Sequence, residues 1–373
     1  MSRITLVTGG AGFVGSHLVD RLLARGDRVR VLDDLLPQAH PTGVARFLSS
    51  EAELQVGDLR DRAAVDRALE GVDCVFHLGG MVGNGQSMAE IRRYIDVNSV
   101  GTATLLEALV ARRSQLRRLV VASSMVVYGD GAYRCPAHGP LARVSRPVER
   151  LRARRWEPVC HSCGAEALAI ATTEEHSLHP TSTYGVSKLS QEQLSLCIGR
   201  AYGLPTIVLR YLNIYGSRQA LGNPYTGICA IIAARLLNGR RPLIFEDGQQ
   251  RRDLVHVSDV VEANLRAELA PESACYQPYN IGTGRSVTVL ELASLLGRLL
   301  GIPLEPELRG EYREGDIRHC FADVSRARQA LGFEARRTLS DGAAELASWA
   351  ASERPDDRTD AANHDLRQRG LIR

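Results

Sequence analysis

An α/β fold, with a doubly wound parallel sheet and a smaller α/β lobe, is what the sequence predicts, on three observations. Short apolar runs alternate with amphipathic segments of ten or more residues, the pattern of βαβ units. The first apolar run leads at once into a glycine turn and a helical segment. The 373 residues suffice for one large domain plus a lobe, and no internal repeat or low-complexity linker divides them.

Composition narrows the function classes. A net charge of +3 with 24% charged residues is nearly balanced, which gives no general argument for a nucleic-acid or membrane partner. No run of about 18 apolar residues offers a transmembrane helix. The arginine-rich stretch 146–155 reads as a solvated loop. Residues 3–8 read as a strand and not as a signal peptide. Eight scattered cysteines with one tight pair suit a reducing cytoplasm better than a disulfide scaffold.

In chain order, the first strand runs into Gly9-Gly10-Ala11-Gly12-Phe13-Val14-Gly15, and residues 16–25 form a helix that stops at Gly26. Glycines let the backbone approach a pyrophosphate, and the helix N-terminus faces its charge. Residues 28–32 make a second strand ending in Asp33-Asp34, where a carboxylate meets an adenosine ribose hydroxyl. A carboxylate there repels a 2′-phosphate and no arginine immediately follows, so NAD is favoured over NADP. A solvated turn is the alternative for Asp34.

Residues 54–56 form a strand before Gly57-Asp58-Leu59, and 60–70 a helix. Residues 72–78 form a strand ending in His77-Leu78-Gly79-Gly80. Residues 89–113 form a long helix carrying Asn98, and 116–124 a strand ending in Ser123-Ser124. Residues 183–202 form a helix with Tyr184 and Lys188 one turn apart on one face. An ammonium beside a phenol favours the phenolate, drawing its pKa down from about 10. Strands follow at 205–211 and 279–282, with 255–260 as a return to the main sheet. Further helices are expected at 228–237, 286–300, 323–331 and 339–351.

Between the serine strand and Tyr184 lies a long segment with two Cys-x-x-ligand-Gly knuckles, Cys135-Pro136-Ala137-His138-Gly139 and Cys160-His161-Ser162-Cys163-Gly164. Three cysteines and one histidine make a closed tetrahedral structural Zn2+ site with no open position for catalysis. Such a site orders a loop that has little core of its own. The alternatives are four unrelated loop residues, or His161 in place of one ligand. Its place before Tyr184 suggests that the insertion shapes or covers a pocket.

The glycine turn, the serine strand and the Tyr-x-x-x-Lys pair, in this order, resemble the short-chain dehydrogenase/reductase superfamily. They are most similar to its extended branch of NAD-dependent nucleotide-sugar epimerases and dehydratases, of the UDP-glucose 4-epimerase type. The two-knuckle insertion further resembles a dTDP-L-rhamnose 4-epimerase-like subgroup. The resemblance covers residues 3 to about 350. It implies a Rossmann-type nucleotide domain over 1–212 and 252–283, with 130–180 as the zinc insertion. A substrate lobe takes 213–251 and 284–352, and 353–373 is expected to be a flexible polar tail.

It also implies roles. Asp58 and Leu59 flank the adenine, and Leu78, Gly79, Gly80, Asn98, Ser123 and Tyr211 border the cofactor. Asn98 also orders its helix against the serine strand. Gly85, Gln86, Ser124, Met125 and Asn213 border the sugar nucleotide, Gly85 and Gln86 from a flexible loop. Arg252 and Arg318 bind its diphosphate. Tyr184 is the base, Ser124 the proton relay and Lys188 their electrostatic partner. Met125 and Val126 stand where related 4,6-dehydratases carry an Asp-Glu pair, and neither can transfer a proton. The implied reaction is epimerisation of a nucleoside-diphosphate hexose at C4, through a transient keto-sugar. A dehydrogenase or reductase with net redox, or a non-catalytic dinucleotide sensor, remains the alternative. A homodimer through the helices 89–113 and 183–202 is implied by the resemblance alone.

Overall fold

The structure is a computed structural model describing residues 4–225, 227–353 and 355–373. Arg3, expected in the first strand, lies outside them. Seven parallel strands form the central sheet: β1 (Ile4–Thr8), β2 (Arg28–Asp33), β3 (Glu53–Val56), β4 (Cys74–His77), β5 (Arg118–Ser124), β6 (Thr206–Tyr211) and β7 (Pro278–Ile281). Their order is β7-β6-β5-β4-β1-β2-β3. The chain therefore winds outward from β1 through β3, then crosses back to β4 beside β1. A doubly wound sheet binds ligands at such a reversal, beyond the carboxyl ends of the strands.

Both faces are covered. Leu6, Leu119 and Val208 enter one apolar cluster while their neighbours Val7, Val120 and Ile207 enter the other. That alternation explains why the strands read as continuous apolar runs. The covering helices include α1 (Phe13–Ala24), α2 (Arg62–Ala68), α3 (Gly101–Ala111), α4 (Thr183–Tyr202) and α5 (Val257–Leu269).

Three expectations are corrected. The long helix of 89–113 is interrupted: Ile91–Tyr94 passes through a π-turn, Ile95–Val100, into α3. The segment near 255–260 does not return to the main sheet. Leu254–His256 pairs in parallel with Asn213–Tyr215 as a separate two-stranded sheet, and α5 follows. The tail is also folded. Thr359–Gln368 is a helix, with Ala362, Leu366 and Ile372 buried. Tyr312 and Arg373 exchange backbone bonds of 2.8 and 3.0 Å, and Arg235 bonds Asp357 and Asp360. The polar composition hid a short apolar stripe and an ionic anchor on the helix Ile228–Leu237.

That helix packs with Val289–Leu299 and Leu339–Glu353 around Ile232, Leu236, Leu292, Leu296 and Leu346, a core separate from the main sheet. The insertion is a three-stranded antiparallel sheet, with Tyr133–Cys135 between Gly139–Leu141 and Leu168–Ala169. A helix, Val148–Arg152, adds Leu151 to a cluster with Trp156 and, from outside the insertion, Tyr312.

Candidate active site

The glycine turn at the end of β1 is built for close approach. Gly9 has φ +68°, and a Cβ there would lie 2.8 Å from Gly79 Cα; one on Gly15 would lie 2.2 Å from the Gly9 carbonyl oxygen. Gly12 caps α1 without a side chain, so the first amides of the helix are left to a ligand. At the end of β2, Asp33 accepts from Ala11 N (3.0 Å) and Leu35 N (2.9 Å). Burial pushes its carboxyl up against those bonds. Asp33 thus fastens the second strand to the glycine turn.

A cleft of about 490 Å³ runs from this turn across the ends of the strands, within the size range of ligand sites. Gly9, Gly12, Phe13, Val14 and Gly15 line one end beside Asp33, Asp34, Asp58 and Leu59. Leu78, Gly79 and Gly80 continue its wall. Ser123, Ser124, Met125, Tyr184, Lys188, Tyr211 and Asn213 line the middle, and Arg252 the far end. The cradle and free helix amides fit a dinucleotide, and the carboxylates of Asp33 and Asp34 fit its ribose.

Tyr184 sits in the first turn of α4. Ser182 caps that helix by accepting from Gly185 N (3.1 Å), and Ser87 Oγ accepts from Tyr184 N (3.0 Å). Ser123 donates to Glu192 (2.7 Å), which Arg210 holds at 2.5 and 3.0 Å. Its hydroxyl is therefore committed, and Ser124 is the serine left to a substrate. The expected effect of lysine on tyrosine is corrected. Burial pushes Tyr184 up to about 12, opposed by the Ser124 hydroxyl. Burial lowers Lys188 to about 7. The Lys188 amine donates to Ala122 O and Gln191 Oε1 and not to the phenol. Desolvation favours both neutral forms and outweighs the one-turn spacing.

Two polar residues act from behind the wall. His77 joins Thr8 (2.8 Å) and Thr102 (2.9 Å), and Thr8 accepts from Gly79 N (3.1 Å). Burial holds His77 neutral, with a pKa of about 3. Asn98 is corrected from cofactor contact to positioning. It accepts from Met81 N (2.7 Å) and donates to Met81 O (3.1 Å) and Ser187 Oγ (2.9 Å), without lining the cleft.

Gly85 and Gln86 do not line the cleft either; Gly83 and Asn84 do. Asn84–Ser87 is a helical turn. A Cβ on Gly85 would lie 3.1 Å from Leu366 of the tail helix, and Gln86 bonds Gln38 and Glu90. Asn223 and Tyr225 also line the cleft, in the 217–225 loop where a pocket wall is expected.

The arginines divide. Arg252 lines the cleft, and its guanidinium bonds the carbonyls of Arg251, Arg318 and Ile317, with no carboxylate partner among the described residues. Burial lowers its pKa, so an anion would be favoured beside it. Arg318 is corrected: it is 1% exposed, away from the cleft, and saturated by Glu157, Glu246 and Asp247. Arg313, five residues earlier, is half-buried. It stacks on Phe245 at 4.3 Å and bonds Asp316, a cleft residue, at 2.9 Å.

Cys135, His138, Cys160 and Cys163 converge, with all four ligand atoms within 4.8 Å of one another. Cys135 Sγ lies 3.5 Å from His138 Nδ1 and 3.6 Å from Cys163 Sγ, and Cys160 Sγ lies 3.6 Å from His138 Nδ1. Metal–ligand lengths of about 2.3 Å to sulfur and 2.0 Å to nitrogen give tetrahedral edges of roughly 3.5–3.8 Å. Backbone amides of Ser162 and Cys163 hold the Cys160 thiol down at about 6, the ionisation a metal needs. The cluster can hold a metal ion. None of the four lines the cleft, so the knuckles do not themselves cover it.

The family model for the NAD dependent epimerase/dehydratase family matches residues 5–147 and 161–282. The chain is 35% identical over 353 residues to dTDP-L-rhamnose 4-epimerase of Burkholderia thailandensis, covering 93% of this chain and 95% of the relative. It is 33% identical to UDP-glucose 4-epimerase of Mycolicibacterium smegmatis, covering 92% and 97%. Among solved structures, UDP-glucose 4-epimerase of Thermotoga maritima with UDP-glucose matches with TM-score 0.76 and 30% identity, over 94% of this chain and 99% of that one. The UDP-glucose 4-epimerase of Thermus thermophilus in complex with NAD matches with TM-score 0.74 and 28% identity, over 93% and 98%. With a matching fold, a family model matched over most of its length and relatives along nearly all of it, the chain belongs to the NAD-dependent epimerase/dehydratase family.

Proposed function

We propose that this chain is an NAD-dependent epimerase of a nucleoside-diphosphate sugar, acting at C4 by transient oxidation and re-reduction on the opposite face. One observation carries the reading: Ser124, Tyr184 and Lys188 meet in one cleft with a carboxylate-free Arg252, and no proton-transferring pair stands at Met125-Val126. Tyr184 takes the proton of the C4 hydroxyl, and Ser124 holds the same oxygen. NAD, when bound, supplies the hydride acceptor and a positive charge that favours the phenolate. Arg252 binds the diphosphate, and Arg313 takes the second place that sequence reading gave to Arg318. Held there, the keto-sugar turns and presents its other face while Tyr184 returns the proton.

The metal of the Cys/His cluster is structural Zn2+, ordering an insertion whose small apolar cluster, Leu151 and Trp156, is completed by Tyr312 from another segment. The nucleotide part, 1–212 and 252–283, and the substrate part, 213–251 and 284–352, are kept as expected, with 355–373 added to the latter. Exposed Ile91, Val100, Val186 and Tyr202 on the helices of 91–111 and 183–202 support a homodimer through that face. Eight unpaired cysteines suit a cytoplasmic setting.

The test is proton NMR of dTDP-, UDP- and GDP-hexoses incubated with the enzyme, dTDP-L-rhamnose included, while NADH absorbance is followed. A new stereoisomer without accumulated NADH supports epimerisation and names the substrate. Stoichiometric NADH would replace it with a dehydrogenase.

A further inference from the structure

Beneath the cleft lies a cluster of charges that the proposed chemistry does not use. Arg318 is its centre. Its Nε and Nη2 donate to Glu157 Oε1 at 3.0 and 2.6 Å. Nη1 donates to Glu246 Oε2 at 2.8 Å and to Asp247 Oδ1 at 2.6 Å, and its backbone N to Asp130 at 2.7 Å. Every direction of the fork is thus taken, which fixes the backbone of residue 318 as well as its side chain. The carbonyls of Ile317 and Arg318 accept from the Arg252 guanidinium at 2.6 and 3.0 Å. The rigid support of the proposed diphosphate ligand is therefore the backbone that Arg318 anchors.

Glu157 comes from the insertion, three residues before Cys160, and its second oxygen binds His319 at 2.9 Å. A second insertion residue, Arg146, bonds Glu246 at 2.5 Å and the Asp316 carbonyl. Glu246 holds φ +55°, a left-handed conformation that a glutamate adopts only when its surroundings impose it. A continuous path thus runs from the Cys/His cluster through Glu157 to Arg318, and from its carbonyl to Arg252. The family model leaves residues 148–160 unmatched, the stretch that supplies Glu157.

We propose that Glu157 is a positioning residue for Arg252, acting through Arg318, so that the metal-ordered insertion sets affinity for the diphosphate of the sugar nucleotide. This rests on the function proposed above. Without Glu157 the Arg318 fork keeps its bonds to Glu246 and Asp247 but loses two of its five side-chain bonds. Its carbonyl shifts, and Arg252 moves off the diphosphate.

The experiment is calorimetric binding of UDP, dTDP and GDP, and of uridine, thymidine and guanosine, to the metal-loaded, NAD-containing enzyme. Wild type, Glu157→Gln, Glu157→Asp, Arg252→Ala and the Glu157→Gln/Arg252→Ala double variant are compared. Glu157→Gln is expected to weaken whichever nucleoside diphosphate the wild type binds by about tenfold, and to leave nucleoside binding and NAD content unchanged. Turnover should show the loss in KM and not in kcat. Glu157→Asp should recover part of the affinity, and the effect of Glu157→Gln should vanish in the Arg252→Ala background. Undiminished diphosphate affinity in Glu157→Gln, equal weakening of nucleosides, or additive effects with Arg252→Ala would each overturn the proposal. A wild type that binds none of the three diphosphates would overturn the proposed function and the inference together, a result distinct from the other three.

Discussion

Replacing Lys188 by methionine tests whether burial of its amine costs stability at the reaction centre. Lys188 is 6% exposed, and burial takes its pKa from the ordinary 10.5 to about 7. That fall corresponds to an upper bound of roughly 5 kcal/mol. The sign follows from proton binding. Between about pH 7 and 10.5 the unfolded chain keeps a proton that the folded chain has released, so this group makes stability rise with pH across that window. Below it the penalty is complete, and above it the penalty is gone. Methionine keeps the unbranched stem and removes the charge, but it leaves Ala122 O and Gln191 Oε1 without their donor, a loss of about 1 kcal/mol each. NAD-stripped Lys188→Met should therefore exceed wild type by about 2–3 kcal/mol near pH 6. It should lose that advantage, or fall below wild type, near pH 10. Urea unfolding followed by circular dichroism at three pH values measures this difference, in which groups common to both proteins cancel. A difference that does not change with pH, or a variant less stable than wild type near pH 6, would refute the reasoning. Turnover by the variant should be lost, so that stability and activity move in opposite directions.

Tyr184→Phe should lower turnover by about a thousandfold or more while bound NAD, read by absorbance after denaturation, stays stoichiometric; normal turnover would remove the proposed base. Ser replacement of Cys160 and Cys163 together should abolish metal binding and make the insertion susceptible to protease. Elemental analysis showing no metal in wild-type protein purified without chelator would rule out the zinc site. Arg210→Met should cost about 3–5 kcal/mol in urea unfolding, because Glu192, fully buried, would lose its cationic partner and retain only the Ser123 hydroxyl. Pairing it with Glu192→Leu should recover most of that loss, and no recovery would show that packing and not charge is at stake.

The nucleotide half was legible because its determinants are local. A glycine turn, a carboxylate at the end of the next strand and a Tyr-x-x-x-Lys pair are each written within a few residues, and the parallel sheet then brings them to one edge. The same locality made the Ile228–Leu237 helix readable to the residue. Where pairing is between distant segments, local pattern was insufficient. Leu254–His256 looks like any buried strand, and only its register against Asn213–Tyr215 keeps it out of the main sheet. The tail is polar enough to suggest disorder, yet its Ala362 and Leu366 stripe is met by Gly85, and its aspartates by Arg235.

The arginines show what the site itself required beyond local pattern. Arg313 and Arg318 flank Gly315, and either could serve a diphosphate as far as chemistry goes. The choice depends on how completely each is neutralised, and Arg313 has the single carboxylate of Asp316, a cleft residue. Three carboxylates from two other segments, Glu157, Glu246 and Asp247, close around Arg318, and a saturated fork has no donor left for a phosphate. Arg252 is the converse case: carbonyls fix its direction but leave its charge uncompensated, which suits the capture of an anion. The same distinction separates Ser123 from Ser124, adjacent on one strand, because Glu192 takes the first hydroxyl and nothing comparable takes the second. In each pair the functional member is the one whose donors or charge the rest of the fold satisfies less completely. Reading it therefore requires the remote partner of its neighbour, which no window of sequence contains.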